Sequence, residues 1–137
     1  MPLDLIPNEI HLWIVSTEQV DDKALLHRYR QILSAEETKR NKRFVFEKDR
    51  KQNLITRVLI REVLSKYIDN ISPTDWQFVE NDYGKPEVLP EMLHFPLKFN
   101  VSHTPGMIVL AIAKDQEIGV DVEALSRDVA TDDLARY

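Results

Sequence analysis

The stretch Leu97-Lys98-Phe99-Asn100-Val101-Ser102-His103-Thr104-Pro105-Gly106-Met107-Ile108-Val109-Leu110-Ala111-Ile112-Ala113-Lys114-Asp115-Gln116-Glu117-Ile118-Gly119-Val120-Asp121-Val122-Glu123 decides the fold. The runs FNVSH and MIVLAIA are short and rich in β-branched or aromatic residues, and Thr104-Pro105-Gly106 separates them. Lys114-Asp115-Gln116 is a second turn, and Val120 and Val122 then alternate with Asp121 and Glu123. Three successive strands joined by short turns predict an antiparallel meander.

In the last of these strands, side chains alternate between faces, so the valines would be buried and both carboxylates would point the same way. Two carboxylates form a hard-oxygen pair suited to Mg²⁺, which takes one or two protein carboxylates and completes its shell with water and substrate phosphate. Spacing alone favours the polar face of an amphipathic strand, and the rest of the chain is what turns the reading toward a metal pair. Gly119 before the pair permits close approach of backbone or ligand.

Outward from this stretch, Pro90 to Pro96 reads as loop, and Asn81-Asp82-Tyr83-Gly84-Lys85-Pro86 as a turn following a strand over Trp76–Glu80. Ser72-Pro73-Thr74-Asp75 ends a long helix predicted from about Arg50 to Ile68, whose Leu54, Ile55, Val58, Leu59, Val63, Leu64 and Tyr67 form a wide apolar face. Arg50, Arg57 and Arg61 share one stripe of it, which fits either phosphate binding or a solvated face. Ser34 and Glu37 have the spacing of a capping box ahead of SAEETKRNKRF, and Asp21-Asp22 can start an earlier helix through Leu33. Glu9–Ser16 reads as a buried strand, with His11 a strand residue rather than a ligand. Val129–Tyr137 reads as the start of a further helix. The sum is α+β: an antiparallel sheet with helices packed on one face.

With 137 residues and 43% hydrophobic content, the chain suits one core and one domain. It has no cysteine, so disulfides and thiolate zinc sites are excluded and a cytoplasmic setting is expected. The N-terminus lacks the pattern of a signal peptide, and no stretch approaches a membrane span. The net charge of −5 argues against a general nucleic-acid binder. That average conceals a segregation: Lys39 to Lys66 holds ten of the 18 basic residues and three acids. A basic segment on an acidic chain suits a small polyanion or an acidic protein, or else a solvated helix face.

Four landmarks, KRNKRFVFEKDR running into a helix with VLIR, the YGKP turn, FNVSH and GVDVE, together resemble the 4′-phosphopantetheinyl transferase superfamily in its two-lobed, surfactin-synthetase-activating type. The resemblance runs from about Glu9 to Tyr137 and implies one pseudo-repeat of that fold. Residues 1–124 would be the N-terminal lobe and 125–137 the truncated start of the second. It implies Mg²⁺-dependent transfer of 4′-phosphopantetheine from coenzyme A to a serine of an acyl or peptidyl carrier protein, releasing adenosine 3′,5′-bisphosphate. Asp121 and Glu123 match metal ligands. Arg40 and Ser102 match 3′-phosphate contacts, His103 matches a donor to coenzyme A phosphate, and Lys85 matches a contact to the adenine end. Many members carry Arg where this chain has Gln52. The Lys-Glu motif that bears a third ligand and a possible base is not among these residues, so no catalytic residue is assigned and a monomer of this lobe should be inactive. A homodimer replacing the missing lobe and a noncatalytic module that binds carrier protein through residues 39–66 are the alternatives.

Overall fold

The computed structural model describes residues 2–125, so the helix expected over Val129–Tyr137 lies outside the described residues. Five strands and three helices follow in the order β1 (Ile10–Ser16), α1 (Lys23–Arg30), α2 (Ala35–Asn41), α3 (Glu47–Tyr67), β2 (Phe78–Glu80), β3 (Pro86–Val88), β4 (Leu97–Thr104) and β5 (Met107–Lys114). The expected α+β class holds, with two antiparallel sheets: β1-β5-β4 and the hairpin β2-β3.

Helix starts follow the capping chemistry. The Asp22 carboxylate accepts from the Ala24 N–H at 2.9 Å. Ser34 and Glu37 form a reciprocal capping box, in which Glu37 N–H donates to Ser34 Oγ at 3.1 Å and Ser34 N–H donates to Glu37 Oε1 at 2.9 Å. Helix α3 begins at Glu47, three residues before the predicted Arg50, because Glu47 and Asp49 sit favourably in its first turn.

The core lies between α3 and one face of the three-stranded sheet. Ile60, Val63, Leu64 and Tyr67 of α3 pack with Phe99, Leu110 and Ile112 of the sheet and with Trp76 and Val88 from the hairpin region. Trp76 precedes β2 rather than opening it, and its indole N–H donates to Ser65 Oγ at 2.8 Å. His11 is a strand residue as expected, with Nδ1 2.8 Å from the Tyr67 hydroxyl. That hydroxyl also accepts from Trp13 Nε1 at 3.0 Å. Burial raises the Tyr67 pKa, and the Trp13 bond only partly opposes this.

Two expectations are corrected. First, β1 is not a buried strand: Ile10, Leu12 and Ile14 are 52%, 57% and 62% exposed. It is an edge strand paired only with β5, so His11, Trp13 and Val15 face the core and the alternate residues face outward. Second, the arginine stripe is neither solvated nor free for phosphate. Arg57 Nε donates to Glu37 Oε2 at 2.7 Å, and Arg61 Nε donates to Glu37 Oε1 at 2.8 Å. Arg61, 2% exposed, also donates to the carbonyls of Pro73 and Trp76. Both guanidinium groups lie over the Phe78 ring, 5.1 and 5.3 Å from its centroid. Arg50 donates to the carbonyls of Phe44 and Val45. The stripe thus joins α2, α3 and the hairpin.

Candidate functional site

Strand β4 organises the candidate residues because its side chains alternate. Phe99 and Val101 lie opposite Ile112 and Leu110 on the core face, which leaves Asn100 and Ser102 on the other. Asn100 Oδ1 accepts from the Val120 N–H at 2.9 Å, and Ser102 Oγ accepts from the Val122 N–H at 3.2 Å. The Lys98 ammonium pairs with Glu117 at 3.3 Å. Partners 98 with 117, 100 with 120 and 102 with 122 rise together, so the chain after β5 runs parallel to β4 and is held by its side chains.

This overturns the third strand of the expected meander: Ile118–Glu123 is not a β-strand. The reason is non-local. Both sides of β5 are already taken, by β4 and by β1 arriving from the other end of the chain, so no ladder position beside β5 remains. The segment still delivers Asp121 to Ser102, whose hydroxyl donates to Asp121 Oδ1 at 3.2 Å. The same oxygen accepts from the Val122 N–H at 3.0 Å.

Ser102 and His103 are consecutive in β4 and therefore emerge on opposite faces. His103 pairs across the ladder with Ile108, on the side of α3, and is exposed. Gln52 of α3 reaches the same end of β4, donating from Nε2 to the Thr104 carbonyl at 3.1 Å. Because β4 is an edge strand, Ser102 with Asp121 on one side and His103 with Gln52 on the other flank its open margin.

Lys85 lines a cavity of ≈ 940 Å³ between the β2-β3 hairpin, the loop before β4 and the segment Glu117–Gly119. Asn100 lines it too, two residues before Ser102, or about 7 Å along the strand. The turn carrying Lys85 is pinned by Asn81, whose Oδ1 accepts from the N–H groups of Tyr83 and Lys85. Gly84 there takes φ +77°, in the left-handed region that glycine tolerates. Arg40 lies on α2 and donates to Glu36 at 3.1 Å and to Glu80 of β2 at 3.5 Å. It therefore stands beside the hairpin, while no hydrogen bond among the described residues joins it to Ser102, His103 or Asp121. The predicted residues thus fall into three places: Lys85 in the cavity, Ser102 with Asp121 and nearby His103 at the end of β4, and Arg40 at the hairpin.

Residue reading missed Asn100, which the alternation in FNVSH could have revealed as an outward polar group. It also missed the second role of Glu37. Burial pushes the Glu37 carboxyl up, but hydrogen bonds from Arg61, the Ser34 backbone and Arg57 outweigh it and hold the pKa below the usual value.

Asp121 and Glu123 are both exposed, and among the described residues no group of three or more His, Cys, Asp or Glu could hold a metal ion. Two exposed carboxylates two residues apart fit the protein share of a Mg²⁺ shell that draws its other ligands from phosphate and water. They do not make a closed site.

The described residues thus form an α+β lobe in which an acidic segment, held by side chains, runs along the edge strand β4 beside a cavity. A holo-(acyl-carrier-protein) synthase from Bacillus anthracis, solved in complex with coenzyme A (3′,5′-ADP), shares this fold with a TM-score of 0.57 at 15% identity, over 79% of this chain and 96% of that one. The family model "4'-phosphopantetheinyl transferase, N-terminal" matches residues 20–115. The chain belongs to the 4′-phosphopantetheinyl transferase family and represents its N-terminal portion. It is 28% identical over 134 residues to the 4′-phosphopantetheinyl transferase HetI of Nostoc sp., covering 98% of this chain and 55% of HetI. To the 4′-phosphopantetheinyl transferase Sfp of Bacillus subtilis it is 32% identical over 98 residues, 70% of this chain and 41% of Sfp. The chain thus spans about half the length of these relatives or less. Among the described residues no helix is long and apolar enough to cross a membrane.

Proposed function

We propose that residues 1–124 are the N-terminal lobe of a cytoplasmic, Mg²⁺-dependent 4′-phosphopantetheinyl transferase acting from coenzyme A to a carrier-protein serine, and that 125–137 begin the second lobe. The observation that carries this reading is the Ser102–Asp121 hydrogen bond, two residues along from Asn100 and Gly119, which line the cavity containing Lys85. An elongated ligand with a heterocycle at one end and phosphates at the other matches that line of groups.

In this reading Lys85 contacts the adenine end, Arg40 and Ser102 bind the 3′-phosphate, and His103 donates to phosphate across the open margin of β4. Asp121 and Glu123 would hold Mg²⁺, which when bound would neutralise charge on the pyrophosphate oxygens. Arg40 must leave Glu36 and Glu80 to reach a phosphate; both pairs are exposed, so their release costs little. The chain's own contribution is binding and positioning, and no residue present is assigned as general base. As a monomer this lobe is therefore expected to have little or no transfer activity.

A second reading concerns assembly. The outward stripe Ile10, Leu12 and Ile14, with Met107 opposite Ser16, is an exposed apolar face on an edge strand. A homodimer through this face would bury it.

Calorimetric titration of coenzyme A with and without Mg²⁺, repeated on Asp121→Ala, tests the site. Mg²⁺-dependent binding that disappears in the variant is the expected result. Binding indifferent to both Mg²⁺ and Asp121 would remove these residues from the site.

A further inference from the structure

The corner between α2 and α3 carries an exposed apolar tip that no part of the coenzyme A reading uses. Phe44, Val45 and Phe46 are 41%, 82% and 64% exposed, three consecutive apolar residues at a turn. The tip is fixed in shape. Arg50 Nη1 donates to the carbonyls of Phe44 and Val45 at 2.8 and 2.9 Å, and Asn41 Nδ2 closes the corner by donating to the Arg50 carbonyl at 2.8 Å. Rigid apolar groups lose little conformational freedom on association, which favours them as anchors.

Beside the tip lies a depression of ≈ 250 Å³. Leu26, Leu33 and Leu54 supply its apolar lining, and Arg30, Lys42 and Lys51 supply positive charge, against the single acid Glu47. Lys51 also stands 3.8 Å from Asp21, a long pair in which Lys51 is partly buried and Asp21 is exposed. Lys39, Arg43 and Lys48 add exposed positive charge around the same corner. Outside residues 39–66 the chain has eight basic against twenty acidic residues, so an acidic partner is repelled by most of the protein and attracted here.

We infer that this corner is the docking surface for an acidic protein that inserts an apolar side chain, and, resting on the transferase reading above, that the protein is the carrier whose serine is modified. The concave depression suits one inserted side chain rather than a flat lipid surface. The position also fits: Phe46 lies six residues before Gln52, about 9 Å along α3, and Gln52 is bonded to Thr104 beside His103. A carrier held on the tip is thus at the end of the molecule where the phosphate contacts emerge.

The test measures affinity of the full chain for an acidic apo acyl carrier protein by fluorescence anisotropy, at low and high salt, for wild type, Val45→Glu and Lys42→Glu. Coenzyme A titration and thermal melting of each variant run alongside. Val45→Glu is expected to weaken carrier binding at least tenfold and Lys42→Glu several-fold, with coenzyme A affinity and melting unchanged and with wild-type binding weakened by salt. Equal carrier affinity for all three proteins, or no carrier binding by wild type, overturns the docking surface. Wild-type binding to phosphatidylglycerol vesicles that Val45→Glu abolishes, with carrier affinity untouched, overturns it in favour of lipid. Failure of the transferase reading is a separate result, read as absence of coenzyme A binding in wild type whatever the carrier affinities.

Discussion

The Ser102 hydroxyl donates to Asp121 Oδ1 at 3.2 Å and accepts from the Val122 N–H at 3.2 Å, so one side chain fixes both the carboxylate and the backbone that carries it. Ser102→Ala removes both bonds while leaving β4 in its ladder. Each is worth about 1 kcal/mol net, and the expected result is roughly tenfold weaker Mg²⁺-dependent coenzyme A binding with little change in melting temperature. Unchanged affinity by calorimetry would mean that the acidic segment is positioned without Ser102.

The resemblance puts Gln52 at a position expected to carry Arg in many members, and here its amide donates to the Thr104 carbonyl next to His103. Gln52→Arg adds a cation at the end of β4. It is expected to raise affinity for coenzyme A several-fold relative to dephospho-coenzyme A, because a guanidinium gains most against the 3′-phosphate. Gln52→Ala, by contrast, is expected to lower affinity for both ligands alike. An Arg variant that treats the two ligands equally would separate position 52 from the 3′-phosphate.

Much of this arrangement is legible from residue pattern, and the failures share a cause. FNVSH and MIVLAIA declare two strands through their alternation and composition, and Ser34 with Glu37 declares a helix start. GVDVE has the alternation of a strand as well, yet whether it pairs depends on Ile10–Ser16, some hundred residues away, which takes the free side of β5. The apolar composition of β1 conceals that only one of its faces meets the core. The cavity around Lys85 and Asn100 arises from packing the hairpin against β4, which no local signal encodes.

The Glu37 carboxylate makes acid sensitivity a specific expectation. Its pKa in the folded chain is held below the usual value, so its contribution to stability is fully present above the unfolded value of about 4.3. It is lost as the pH falls through that value toward the lower folded one. Glu37→Gln leaves Arg61 buried without a counter-charge and is expected to cost about 3 kcal/mol near neutral pH. Urea unfolding at pH 7 and pH 3 measures the difference, which should shrink in acid as the wild type loses its own charge. A constant gap across that range would exclude ionisation of Glu37 as the source.

The β1 stripe predicts self-association that can be removed without unfolding the lobe. Leu12 and Ile14 are more than half exposed and alternate with Trp13, whose indole N–H is bonded to Tyr67 in the interior. Leu12→Lys with Ile14→Lys puts two charges on the outward face and leaves every core contact of β1 in place. Analytical ultracentrifugation is expected to find wild type as a concentration-dependent dimer and the double variant as a monomer, with the melting temperature of the dilute proteins similar. Because Ser102 and His103 lie on β4, at the opposite edge of the same sheet, and Lys85 and Arg40 lie outside that sheet, binding of coenzyme A should survive in the monomeric variant. A wild type that remains monomeric at high concentration would leave this face to some other occupant and exclude the homodimer.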